Sequence, residues 1–216
     1  MNGILIKKIK LWFLINFLTK LWNLFYKIKI KTFLPGEKNN NDEYFHFRWK
    51  IYSEEGYIDP QDFPDQQLRD EYDNDSLHVF AVKNNNIIAC VRFVLSLKGK
   101  LPTERAFNLI NFHISSNIGE ISKLCLEKKY RRTKIGKCIF LSLMCEIYKF
   151  MKKNKIKYVL IGVPQFLKKS FEKTSFVEYI EELSTGVLKP EHLEERKTAK
   201  KYFEKVDIKP YLIKVV

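Results

Sequence analysis

The sequence predicts an α/β chain in which a mixed central sheet is flanked by helices and preceded by an amphipathic, basic helix. Three observations lead there. Strand-like runs come first as a hairpin and return on the far side of a long helix, an order that places antiparallel and parallel neighbours in one sheet. The first 34 residues hold seven lysines and no acid among a surplus of leucine, isoleucine, phenylalanine and tryptophan. The chain has 216 residues, 45% of them hydrophobic and 14% aromatic, which is enough for one full core plus an appendage.

In chain order, Asn16, Lys20, Asn23, Lys27 and Lys31 recur at spacings of four, three, four and four, so they form one narrow stripe of a helix over residues 1–34. The rest of its circumference is apolar, with Leu11, Trp12, Leu14, Leu18, Leu21, Trp22 and Phe25. Lys20 interrupts the apolar run well short of the roughly twenty residues that a bilayer span needs. No small-residue cleavage site follows, which argues against a signal peptide. The expectation is an interfacial helix, lysines toward headgroups and tryptophans at the boundary. The competing reading is a helix docked on its own domain or on a second subunit.

Pro35, Gly36 and the polar residues 38–41 read as a linker, 35–41, before a domain spanning 42–216. Residues 44–55 read as a helix closed by Gly56. Residues 77–82 and 87–95, rich in β-branched and aromatic side chains, flank Asn84, Asn85 and Asn86 and predict a hairpin. A strand at 120–126, a long helix at 133–153 and a buried strand at 158–163 follow. A helix at 166–173, a strand at 176–180, a helix at 191–203 and a strand at 208–214 complete the chain.

The four cysteines form no C-x-x-C pair, and the four histidines are scattered, so neither a disulfide framework nor a zinc site is expected, and a reducing compartment is. The net charge of +14 is unevenly spread. Residues 35–100 hold twelve acids against eight bases, and residues 101–216 hold twenty-four bases against thirteen acids. An acidic middle and a basic second half suggest an amine-binding side and an acidic-donor side. No zinc-finger or RNA-binding aromatic signature accompanies the basic residues, and nucleic acid is not an expected partner.

The stretch YRRTKIGKC, beginning at Tyr130, lies between a strand and the long helix. A turn feeding a helix N-terminus presents unpaired backbone N–H groups and a positive dipole end, which suit a phosphate, and Arg131, Arg132, Lys134 and Lys137 add charge. A solvated basic turn capping a helix is the bland alternative. This succession of strand, basic turn, helix and strand resembles the acyl-donor core of the GNAT superfamily, whose loop reads R/Q-x-x-G-x-G/A. Arg131 falls at its first position and Gly136 at its last, with Ile135 between the charged residues, and Lys134 stands in place of the middle glycine.

Upstream, RWKIY from Arg48, GYI, RDEYDNDSLHVFAV and the VRF that carries Arg92 resemble the N-terminal half of acyl-homoserine lactone synthases and N-acyl amino acid synthases. The resemblance runs from about residue 42 to residue 182 and implies a GNAT-like fold. It further implies that Arg48, the pair Asp70 and Asp73, Arg92, and Glu120 and Lys123 of the EISK stretch surround the substrate. On the residues alone, Asp70 and Asp73 are turn acids or charge partners at the sheet's end, and Glu120 is a strand-end carboxylate.

The implied chemistry is N-acylation. A donor acyl-phosphopantetheine thioester, on acyl carrier protein or CoA, is attacked by a small amine, in all expectation an amino acid, with Glu120 as base and Arg92 and Lys123 holding a carboxylate. No tightly bound cofactor and no metal is expected. Phe171 stands where many acetyltransferases carry a proton-donating tyrosine, so the leaving thiolate needs another proton source. The expected partners are acyl carrier protein, an amino acid and a membrane surface, with the protein cytoplasmic and peripheral on the inner face of the membrane. Acetyl-CoA-dependent acetylation and a non-catalytic adaptor on a degenerate GNAT fold are the alternatives.

Overall fold

The computed structural model describes residues 3–37, 42–96, 100–113, 116–174, 176–186, 201–202 and 205–215, and in the first helix the side chains from Leu14 onward. The linker residues 38–41 and most of the helix expected at 191–203 lie outside the described residues.

The chain opens with α1 (Gly3–Phe25), then β1 (Ile28–Phe33), α2 (Asp42–Glu54), β2 (Ser76–Lys83) and β3 (Asn86–Leu95). It continues with α3 (Pro102–Ala106), β4 (Ile118–Leu126), α4 (Lys134–Lys153), β5 (Tyr158–Val163), α5 (Gln165–Glu172), β6 (Val177–Glu182) and β7 (Lys209–Val215). The seven strands form one sheet in the order β1-β2-β3-β4-β5-β7-β6. Among the described residues only β4 and β5 run parallel, joined through α4, and every other pair is antiparallel.

The hairpin turns at Asn84 (φ 50°) and Asn85 (φ 64°). Two consecutive left-handed residues make the tight turn that matches strand twist, and asparagine tolerates that region better than other L-residues. Side chains of β2 then alternate between two layers. Val79 and Ala81 pack with Ile139, Leu143 and Ile147 of α4, whereas Phe80 and Val82 pack with Tyr44, Phe45 and Ile51 of α2.

Residues 1–34 do not form one helix. Lys27 takes φ 54°, ends α1, and sends the chain into β1, which pairs with β2 from Ile28 opposite Lys83 to Phe33 opposite His78. The reason is legible in the order Ile28, Lys29, Ile30, Lys31, whose period of two fits a half-buried strand better than a helix. Ile28 and Phe33 are buried, while Lys29 and Lys31 point to solvent and blunt the sheet's edge. The domain's sheet therefore begins at Ile28, ahead of the linker. Among the described residues no helix is long and apolar enough to cross a membrane.

Candidate active site

Strands β4 and β5 pair only at their beginnings, from Ile118 opposite Tyr158 to Glu120 opposite Leu160. Beyond Glu120 they part, β4 staying with β3 and β5 with β7. Parting leaves backbone N–H and C=O groups along one edge of each strand for a ligand to use. A cavity of about 190 Å³ occupies the gap, walled by Ile121, Ser122, Lys123 and Leu124 on one side and by Gly162 and Val163 on the other. A bulge sits at the same place. Cys90 faces Cys125 and Arg92 faces Ser122, so Lys123 and Leu124 together oppose one residue of β3, and Lys123 takes φ 53°.

Glu120 stands at the point of divergence, 3% exposed, with Oε2 accepting a hydrogen bond of 2.8 Å from the Thr103 amide. Burial pushes its carboxyl up to about 8, against the lowering effect of the Thr103 hydrogen bonds. A buried carboxyl with that pKa, facing a cavity, is matched to proton transfer near neutrality.

Lys123, Asp70 and Arg92 line the same cavity. Arg92 donates through Nη1 to Asp70 and, at 2.9 Å, to Asp73, and through Nε to Ser122 Oγ at 3.1 Å. Lys123 Nζ lies 3.8 Å from Asp70 Oδ2 and 4.9 Å from the centre of the Tyr52 ring. Burial brings the Lys123 ammonium down to about 8, and Arg48 and Arg92 add to that while Asp70 opposes it. Asp70 stays ionised, because Arg92, Lys123 and Arg48 outweigh the burial that would raise it and hold it well below the ordinary carboxylate range.

Arg48 and Asp73 do not line the cavity. Arg48 is fully buried against the rings of Tyr44 and Phe45, and its Nη1 donates to Asp73 Oδ1 at 2.7 Å. Asp73 thus receives two guanidinium groups, and its Oδ2 also accepts the Asp70 amide at 2.7 Å. Both residues were expected at the substrate. The geometry makes them the buried clasp that fixes Arg92 and Asp70, which are the members of the group that reach the cavity.

The basic turn follows the end of β4. Thr133 caps α4, its hydroxyl accepting from the Gly136 amide at 3.0 Å, and the helix start leaves the Lys134 and Ile135 amides without intrahelical acceptors. A Cβ on Gly136 would sit 2.1 Å from the Tyr130 carbonyl oxygen, so the close approach of helix and turn requires glycine. Arg132, Lys134 and Lys137 are exposed around this end. Arg131 points elsewhere: it donates through Nε to the Leu126 carbonyl at 2.9 Å and pairs through Nη1 with Glu55 at 2.6 Å. It braces α2 against the end of β4.

Thr103, Tyr52 and Tyr202 are among the cavity residues that went unassigned in the sequence. Tyr52 lies four residues after Arg48 on α2, and that spacing alone places both on one helix face. Thr103 acts through its backbone amide, and Tyr202 arrives from 150 residues further on; neither carries a local signal. Phe171 is fully buried in the cavity wall, edge-on to Phe140, and brings no proton. Cys90 and Cys125 are buried as a pair behind the bulge, in the layer that α2 covers.

Compared with solved structures, the fold is similar to a CoA-dependent acyl-homoserine lactone synthase, BjaI, determined with SAM and isopentyl-CoA, at TM-score 0.65 and 15% identity, over 88% of this chain and 84% of that one. The acyl-homoserine lactone synthase LasI matches at TM-score 0.64 and 11% identity, over 87% and 89% of the two chains. A Lactobacillus plantarum protein put forward as an N-acetyltransferase matches at TM-score 0.53 and 9% identity, over 88% and 99%. At such identities the likeness concerns the GNAT-like fold. No curated protein matches by sequence. The model of the family "N-acyl amino acid synthase FeeM", by contrast, matches residues 43–186, which take in α2, the hairpin, the parted strands, the basic turn and β6. The chain therefore belongs to the FeeM family of N-acyl amino acid synthases and is an acyltransferase.

Proposed function

We propose that the chain transfers a long-chain acyl group from the phosphopantetheine thioester of acyl carrier protein or CoA to the amine of an amino acid. The observation that carries this reading is the parting of β4 and β5 immediately after Glu120, with both apolar residues and the charged Asp70, Arg92 and Lys123 lining the gap. A pantetheine arm can lie along the open strand edges and bond their backbone groups, while its phosphate meets the start of α4 near Lys134 and Lys137. Phe107, Val163, Leu167 and Phe171 offer the acyl chain an apolar lining.

The amino acid enters from the side of Asp70, Arg92 and Lys123. Asp70 suits its ammonium, and Lys123 and Arg92 suit its carboxylate. Glu120 takes a proton from the ammonium, directly or through one water, and the freed lone pair attacks the thioester carbon. A C–N bond forms, the C–S bond breaks, and backbone N–H groups of the opened strand stabilise the oxyanion between the two events. The thiolate departs with its electron pair and is protonated by solvent, since Phe171 has no proton to give. The amide nitrogen's surplus proton goes to solvent by way of Glu120. No covalent acyl-enzyme is required.

The proposed product is an amphiphile, which supports a reading of the protein as cytoplasmic and peripheral on the inner face of the membrane, where such a product partitions. Parallel incubations of the protein and an amino-acid mixture with long-chain acyl carrier protein and with acetyl-CoA test the reading through thiol release. Release from the long-chain donor, stoichiometric with amide formed, is the expected result. Release from acetyl-CoA alone would replace it with an acetyltransferase, and release from neither would favour the adaptor.

A further inference from the structure

Exposed apolar side chains are concentrated on one helix. Of the ten large hydrophobic residues exposed among the described ones, six lie on α1: Leu14, Phe17, Leu18, Leu21, Leu24 and Phe25. Their spacing of three or four, with 17–18 and 24–25 as adjacent pairs, draws them into one face. Leu24 is 78% exposed and Phe25 80%. The opposite face is the docked one. Thr19 is buried, and Asn23 Nδ2 donates to Ser142 Oγ of α4 at 3.0 Å. The helix therefore turns Thr19 and Asn23 toward the protein and six large apolar side chains toward solvent.

We infer that the outward face of α1 is a docking surface for an anionic lipid bilayer, with the helix lying in the plane of the interface. An apolar surface of this continuity is one that a partner covers. Charge complementarity selects the partner. Residues 1–34 hold seven lysines and no acid, and Lys20, Lys27, Lys29 and Lys31 are exposed on α1, at its end and on the neighbouring β1. A second copy would set these lysines against an identical acid-free segment, whereas a bilayer with anionic headgroups neutralises them while its acyl region takes the leucines and phenylalanines. The helix is too short of apolar residues to cross, which leaves the in-plane orientation. This surface deepens the membrane placement proposed above and rests on it for location, but needs nothing of the acyl-transfer chemistry.

The test uses the full chain and the variant Phe17→Glu/Leu21→Glu/Leu24→Glu, whose three positions are exposed and so leave packing intact. Both are sedimented with vesicles of phosphatidylglycerol and phosphatidylcholine and with pure phosphatidylcholine, run by analytical ultracentrifugation without lipid, and assayed for thiol release on a soluble donor. The expected result is binding of the wild type to the anionic vesicles, a loss of roughly tenfold or more in the triple variant, and unchanged thiol release. Replacing Lys20, Lys27, Lys29 and Lys31 with glutamine lowers binding by roughly fivefold per lysine in contact with the headgroups. Wild-type protein that ignores anionic vesicles, equal binding by the triple variant, or a dimer that the triple variant dissociates would each overturn the inference. Vesicle binding by a protein inactive on every donor would uphold this surface and sink the proposed reaction instead.

Discussion

Replacing Glu120 with glutamine separates catalysis from stability, because the two respond in opposite directions. The carboxyl is 3% exposed and titrates at about 8, against an ordinary 4.5, through burial. Between those values the folded state holds a proton that the unfolded chain has released. Stability is therefore fullest below pH 4.5 and falls as pH rises toward 8. At pH 7 the cost is on the order of 3 kcal/mol, from about 1.4 kcal/mol per pH unit. Glutamine keeps an acceptor for the Thr103 amide and carries no ionisation cost, so Glu120→Gln is expected to melt several degrees higher at pH 7 and to lose the decline between pH 4.5 and 8. Turnover moves the other way. With about a tenth of the carboxyl ionised at pH 7, wild-type rates rise with pH and level off above 8, and loss of the base costs roughly 10²–10⁴-fold. The variant depends on free amine alone, so its deficit is constant below pH 8 and narrows above it, while donor affinity holds. Thermal melts from pH 4 to 9 and kcat over the same range are the assays. A uniform loss of turnover at every pH together with a lower melting temperature would refute the assignment and make Glu120 a structural residue.

Asp73→Ala strands the Arg48 guanidinium in the core, removes one of Arg92's two carboxylate partners, and is expected to cost about 3–5 kcal/mol in urea unfolding; a loss under 1 kcal/mol would mean that the clasp is not what fixes Arg48. Lys134→Glu with Lys137→Glu is expected to weaken donor binding by roughly tenfold or more without moving the melting temperature, and unchanged donor affinity would remove the phosphate from that turn. Arg131 is the wrong residue for that test, because its pairing with Glu55 makes Arg131→Ala a stability variant, expected to cost about 1 kcal/mol in the same unfolding assay. Gly136→Ala drives a methyl to within 2.1 Å of the Tyr130 carbonyl and is expected to cost roughly 1–3 kcal/mol and raise the donor KM, whereas a neutral result would show that the turn relaxes freely.

What the sequence disclosed depended on whether the signal was local. The asparagines at the hairpin and the apolar face of α4 act within a few residues of themselves, and both elements are where the sequence put them. The strand β1 was hidden because lysines at 27 and 31 satisfy a helical spacing as readily as the two-residue alternation that prevails, and only pairing with β2 decides between them. The same holds for the site. Glu120, Asp70, Arg92 and Lys123 were found through the ordered motifs and do meet at one cavity. Arg48 and Asp73 carry equal sequence signals but sit a layer deeper, and burial is a property of the assembled fold. The polar stripe of α1 divides for a related reason: Asn23 meets Ser142 of α4 while Lys20 stays exposed, a split that only the packed fold supplies.

The most direct test of the central claim is mass spectrometry of lipid extracts from cells overproducing the wild-type chain and Glu120→Gln at equal levels. Long-chain N-acyl amino acids that accumulate with the wild type and fall at least roughly a hundredfold with the variant are the predicted result. Identical extracts from the two strains, or an acetylated amine as the sole new species, would contradict it.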